Sequence, residues 1–300
     1  MCQIIFMSFM GLLLSFSPFG VRGYSINNDH SDLYQRAIQE SLKIRPLNPS
    51  SETHSLSRDA RTSCRLKRKE KLAGPPNYWF HPKIHTFGNT GVLGGLHAAL
   101  APLATKLIDA AAYDGDNVRD IVAKQLRKIV GKAGANVADL CCGVGISTRS
   151  LRKSFKDANT IVGIDTSKEM IAMAKFLTSA RDLKAFNTCY IVGNSESTNF
   201  ESSSFDLVTI MYAFHEAPFL GRYSMLREAR RILAPGGTLA IVDISPNYQP
   251  SRTMLAGEPY VLEYKRNIHD QLNRIQGFKS CNYGEIVEGH VGSWILTRKK

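Results

Sequence analysis

The stretch Val137 to Thr148, VADLCCGVGIST, constrains this chain more than any other. Val137 to Cys141 reads as a short buried strand, and Ile146 opens an amphipathic helix. Cys142, Gly143, Val144 and Gly145 must then make a tight strand-to-helix turn. Gly143 and Gly145 carry no Cβ, so the backbone can bend sharply and a ligand can approach it closely. Asp139 stands at the strand's carboxyl end, the edge at which open α/β sheets bind their ligands.

A G-x-G alone is weak evidence, because any strand-to-helix turn can use it for bending. The next strand, TIVGID, strengthens it by ending in Asp165, twenty residues past Gly145. A nucleotide-binding βαβ unit places there the acid that takes two ribose hydroxyls. The competing dinucleotide fingerprint calls for a third glycine or alanine, where this chain has Thr148. It also calls for no acid ahead of the first glycine. D-x-x-x-G-x-G with a ribose acid after the second strand resembles the class I S-adenosylmethionine-dependent methyltransferases. Within that class, DLCCGVG looks most like the ubiquinone/menaquinone and tocopherol methyltransferase group. The loop's usual first glycine is Cys141 here. A second motif, EARRILAPGGTLAIVDIS, matches the same pattern, and the resemblance spans about Asp116 to Lys300.

The resemblance implies an α/β fold: a Rossmann-like seven-stranded mixed sheet with helices on both faces and a terminal antiparallel strand pair. It implies S-adenosylmethionine as cofactor, held by Asp139, Cys141, Gly143, Gly145, Asp165, Thr166, Asn194, Ser195 and Met211. Asn194 stands where aspartate is commoner, and its amide oxygen can accept the same bond from the adenine amino group. The implied acceptor is a small aromatic or lipophilic molecule, quinone- or phenol-like, met at the end of the fourth strand. His215 is the candidate base there, since its ordinary pKa near 6.5 suits proton removal at neutral pH. The competing reading has His215 capping the next helix or packing beneath a lid. Tyr212 is the candidate hydrogen-bond donor to the acceptor, with plain core as its alternative. The aromatic run Tyr78-Trp79-Phe80 could receive an apolar tail or simply pack.

The flanking pattern supports this order of elements. Helices are expected from about Leu93 to Ala111 and from Asp116 to Val130, the second with Asp116 as N-cap and Gly131 as C-cap. Thr166-x-x-Glu169 reads as a capping box. Strands follow at Cys189–Gly193, Phe205–Phe214 and Thr238–Ser245, with a helix at Glu258–Gln276 and two strands around Gly289. Asp206 reads as structural.

Composition decides little by itself. The net charge is +12, but about five of those charges lie ahead of Gly74. No basic stripe interleaved with aromatics lies in the Rossmann-like part, so no nucleic-acid partner is expected. The end of the fourth strand also lacks the N/D-P-P-Y loop of base methylation. A non-catalytic cofactor-binding module remains an alternative. The six cysteines show no framework spacing and are expected as free thiols. Scattered histidines give no expected metal site.

Residues 1–23 resemble a signal segment, with an apolar run from Ile4 to Phe16 too short to span a membrane. Residues 24–74 are polar, read as disordered linker or transit sequence, and include the basic run Arg65–Lys71. Together they resemble a two-part plastid address, with the secretory pathway or mitochondrion as alternatives. A helical cap is expected over 75–115 and the methyltransferase-like domain over 116–300. The mature chain is expected to lack a transmembrane helix, and peripheral membrane contact and oligomeric state are left open.

Overall fold

The computed structural model describes residues 74, 76–80, 91–113, 115–181 and 187–300. The segments expected to carry an address and a linker, and the side chain of Phe80, lie outside the described residues. In chain order a 3-10 turn, Asn77–Phe80, is followed by α1 (Gly91–Ala112), α2 (Val118–Val130), β1 (Asn136–Leu140) and α3 (Ile146–Ser154). Next come β2 (Thr160–Asp165), α4 (Lys168–Arg181), β3 (Thr188–Val192), β4 (Phe205–Met211) and α5 (Phe219–Ile232). The chain closes with β5 (Leu233–Ile244), α6 (Arg252–Gly257), α7 (Val261–Arg274), β6 (Phe278–Val287) and β7 (Val291–Arg298).

The strands form one seven-stranded sheet in the order β3-β2-β1-β4-β5-β7-β6. β1 to β5 run parallel, and β7 is antiparallel to both β5 and β6. Both faces of the sheet are covered. Ala138, Leu140, Ile164 and Ile210 pack with Leu226, Tyr264 and Trp294 on one side. Val137, Ile161 and Leu207 pack with Val122, Leu126, Leu151 and Phe155 on the other. Alternate side chains of a strand point to opposite faces, so strands buried on both faces read as nearly unbroken apolar runs. The order reverses at β1, whose neighbours are β2 and β4, and the loops leaving β1 and β4 part there to open a crevice.

Local boundaries correct several expectations. Asn117, not Asp116, caps α2, its Oδ1 accepting from Asp120 N at 3.1 Å, while Gly131 ends the helix at φ 60°. Ser167, not Thr166, caps α4, its Oγ accepting from Met170 N at 3.2 Å. Asp206 accepts from Asn136 N at 2.9 Å and from Lys132 Nζ at 2.7 Å, a tie between β4 and the start of β1. The short helix α6 follows Ser251, which caps it through Met254 N. Cys141, Cys142 and Cys281 are free thiols but Cys189 is disulfide-bonded, so the expectation of free thiols throughout does not hold.

Helix α1 is long and apolar enough to cross a membrane by length and composition. Its inner residues Ala98 and Ala101 nevertheless pack on Val144 and Met170 of this domain. Gly91 N at its start donates to Glu169 Oε1 on α4 at 2.7 Å.

Candidate active site

A cleft open to solvent lies at the crevice where the sheet order reverses. Cys141, Cys142, Gly143 and Val144 form its floor with Asp165, Thr166, Asn194 and Ser195. Met211, Tyr212, Ala213 and Glu216 continue the wall past β4, and Pro76, Tyr78 and Trp79 cover it. The cover is anchored twice. Asn194 Nδ2 donates to Gly74 O at 2.9 Å, and the Tyr78 ring lies on α5 where Gly221 has no side chain.

The two loop glycines have different reasons to be there. Gly143 has φ 52°, and a Cβ on it would meet nothing within 4 Å, so its bare face opens on the cleft. Gly145 has φ 72°, but a Cβ there would lie 2.7 Å from the Tyr190 ring. Gly145 is therefore a packing glycine and does not line the cleft. Cys141, at φ 58°, holds a left-handed conformation that favours glycine. Its backbone N donates to Ser195 Oγ at 3.1 Å, tying the end of β1 to the loop after β3.

Asp139 also departs from its expected place. It is fully buried and does not line the cleft. Its Oδ2 accepts from Ser147 Oγ at 2.7 Å and Thr148 Oγ1 at 2.6 Å, and its Oδ1 from Thr209 Oγ1 at 2.7 Å. It thus clamps the first turn of α3 to β1 and β4, and shapes the loop from behind. Burial raises its pKa, and the three hydroxyls oppose the rise.

Asp165 does reach the floor. Its Oδ2 accepts from Gly143 N and its Oδ1 from Ser167 N, both at 2.9 Å. Burial pushes its pKa up to about 6, against the pull of those backbone donors. Each carboxylate oxygen has two lone pairs, so both retain acceptor capacity for ligand hydroxyls. Asn194 Oδ1 accepts from Glu196 N at 2.8 Å, which aims the loop after β3 at the cleft.

Beyond β4, Tyr212 sits at φ 57° with the Arg119 guanidinium 4.4 Å above its ring. Burial drives its phenol pKa well up, so it can donate a hydrogen bond but does not ionise. Arg119 is itself buried on the cleft, with Asp109 at 3.6 Å. His215 corrects the expectation most. It is fully buried behind the wall and does not line the cleft, whereas its neighbour Glu216 does, with a side chain a quarter exposed. His215 Nδ1 hydrogen-bonds Asp243, and its Nε2 lies 3.4 Å from Glu258 and 3.9 Å from Glu216. Burial opposes the imidazolium, but Asp243 and Glu258 outweigh it and hold the His215 pKa above its usual value.

Arg119, Asp243 and Glu258 were not singled out from sequence as site residues, whereas Glu216 follows His215 at the end of the fourth strand, where the acceptor was expected. Arg119 had a signal: with Val122, Ala123 and Leu126 it lies on the buried face of α2 at helical spacing. Asp243 is the one acid within the apolar strand LAIVDI. Glu258 had none, since it is forty-two residues from Glu216 and meets it only in the fold.

The cleft fits S-adenosylmethionine. Gly143 leaves open space for a ligand, Asp165 offers a carboxylate to ribose hydroxyls, and Arg119 supplies a buried cation to a ligand carboxylate. Residues 137–237 match the family model described as a methyltransferase domain. Demethylmenaquinone methyltransferase of Lactococcus lactis is 32% identical over 123 residues, 41% of this chain and 47% of that protein. The enzyme of the same name from Listeria monocytogenes is 34% identical over 115 residues, 38% of this chain and 47% of that protein. The chain thus spans about half the length of the relatives it matches. Haemonchus contortus phosphoethanolamine N-methyltransferase 2, in complex with S-adenosyl-L-methionine, has the same fold at TM-score 0.51 and 16% identity. That match covers 62% of this chain and 53% of that one. A putative S-adenosyl-L-methionine-dependent methyltransferase from Methanococcus maripaludis matches at TM-score 0.50 and 18% identity, over 69% of this chain and 93% of that one. Residues 137–237 match a methyltransferase domain, and the sheet around it has the fold of S-adenosylmethionine-dependent methyltransferases.

Proposed function

We propose that this protein methylates a ring carbon of a quinol- or phenol-like acceptor bearing an apolar tail. The observation that carries the reading is the two-sided cleft. Gly143, Asp165 and Asn194 make its polar end, while Met211, Met225, Tyr78 and Trp79 make an apolar and aromatic end. The named activity of the bacterial relatives, on demethylmenaquinone, supports the same acceptor class. Bound S-adenosylmethionine supplies an electrophilic methyl carbon; the chain's own residues supply position and polarity. Asp165 and Arg119 hold polar groups at fixed points, so the reactive centre has one orientation. Tyr212 donates to an acceptor oxygen. Glu216 accepts from an acceptor hydroxyl, drawing electron density into the ring where carbon attacks. The aromatic cover excludes water from the apolar end.

The test incubates the full chain with methyl-labelled S-adenosylmethionine and, separately, demethylmenaquinol, phosphoethanolamine and RNA. Label on a ring carbon of the quinol is expected. Label on phosphoethanolamine or RNA instead, or on none of the three, overturns the reading.

A further inference from the structure

We propose that His215, Glu258 and Glu216 form a divalent-cation site just behind the acceptor end of the cleft, suited to Mn²⁺ or Zn²⁺. One ligand atom from each side chain lies within 4.8 Å of the others. His215 Nε2 stands 3.4 Å from Glu258 Oε2 and 3.9 Å from Glu216 Oε1. Atoms bound to one first-row ion at about 2.0–2.2 Å are separated by about 3–4 Å, so little movement closes the set. One imidazole nitrogen with two carboxylates is an N/O donor set that zinc and manganese both accept.

Buried atoms with nothing to bond point the same way. His215 Nε2 and both carboxylate oxygens of Glu258 are buried without a hydrogen-bond partner. His215 is fully buried and Glu258 is 3% exposed. A bare carboxylate facing an imidazole nitrogen in such a place is expensive unless a positive charge lies between them. Nδ1 cannot supply it, because that nitrogen is engaged by Asp243. Asp243 in turn accepts from the backbone N–H groups of Phe214, His215 and Ile244. A divalent ion held between His215 Nε2 and Glu258 would satisfy the buried atoms on both.

The Asp243–His215 pair is also the arrangement that prepares a metal-binding histidine. A carboxylate on one ring nitrogen fixes the tautomer, aims the other nitrogen, and makes it more basic. The Tyr264 ring, edge-on with centroids 6.3 Å apart, closes the far side of the imidazole. Glu216 is shared between this site and the cleft wall. On the proposed methyl-transfer reading, an ion there would lie within reach of an acceptor oxygen and favour its anion. The binding itself does not depend on that reading.

The test uses the full chain stripped with a chelator and titrated with Mn²⁺, without methyl donor or acceptor, free ion being followed by its paramagnetic resonance. One Mn²⁺ per chain is expected, with nitrogen modulation in the pulsed spectrum from His215. Glu258→Gln keeps the side-chain volume and is expected to weaken binding about a hundredfold; Asp243→Asn should weaken it about tenfold through the imidazole. Should Glu258→Gln fail to fold, Glu216→Gln at the wall is read in the same way. Absence of stoichiometric Mn²⁺ and Zn²⁺ binding by the wild-type chain overturns the proposal and leaves an imidazolium–carboxylate cluster. So does wild-type affinity in a folded Glu258→Gln or Glu216→Gln chain. Because no methyl transfer is measured, failure here is separate from failure of the quinol assay.

Discussion

A Cβ placed on Gly145 would stand 2.7 Å from the phenol oxygen of Tyr190, so the second loop glycine makes room for a β3 side chain. Tyr190 also lies over Gly163 of β2, and its hydroxyl pairs with Thr178 Oγ1 on α4 at 2.9 Å. The loop is thus set from beneath by packing, and of its two glycines Gly143 is the one that lines the cleft.

Gly145→Ala is expected to cost about 3 kcal/mol, part from the left-handed backbone and part from overpacking against Tyr190. Combined with Tyr190→Leu it should cost less than the sum of the two single changes. A double-mutant cycle by urea unfolding measures this, and strict additivity would remove Tyr190 as the reason for the glycine. Gly143→Ala carries the left-handed backbone cost without the overpacking, because its Cβ meets nothing within 4 Å, so it should cost less stability than Gly145→Ala and weaken cofactor binding more, as calorimetry would read.

Asp139→Ala removes the common acceptor of three buried hydroxyls and is expected to destabilise the fold by about 3 kcal/mol. Asp139→Asn, which keeps one acceptor oxygen, should cost less. Denaturant midpoints check the order. A variant as stable as wild type but unable to bind cofactor would return Asp139 to the list of direct ligand contacts.

Cofactor affinity should depend on pH through Asp165, whose carboxyl is pushed up to about 6. Ribose hydroxyls bind the ionised carboxylate, so affinity is complete above that value and falls about tenfold per unit below it. For the fold the sign is opposite. A carboxyl raised on folding contributes most stability below its unfolded value of 3.8, and that contribution is lost as pH rises to about 6. Calorimetry between pH 5 and about 7.5 with Asp165→Asn as control reads the binding effect. The variant should bind more weakly and with no pH slope, and a slope unchanged in it would assign the titration to another group.

The segment ahead of Gly74 is proposed as an organelle address, on its apolar start and its polar, basic continuation. Residues 1–73 fused to a fluorescent protein are expected to enter a plastid. A fusion that stays diffuse in the cytosol removes the proposal.

The order of strands and helices around the loop was legible because it rests on local chemistry. Buried parallel strands read as apolar runs, amphipathic helices as periodic stripes, and Gly131, Gly143 and Gly145 as positions of positive φ. Asp165 was legible for the same reason: a strand-terminal acid at a set distance from the glycines is a property of one βαβ unit. Which side chains face the cleft was decided elsewhere. Asp139 turns inward because Ser147, Thr148 and Thr209 converge on it, one of them seventy residues away. His215 is drawn behind the wall by Asp243 on β5 and Glu258 after α6, partners set beside it by strand pairing and helix packing. Spacing along the chain carries the backbone conformation, which is local; hydrogen-bond partners of buried charges come from residues distant in sequence, and only the packed fold selects them.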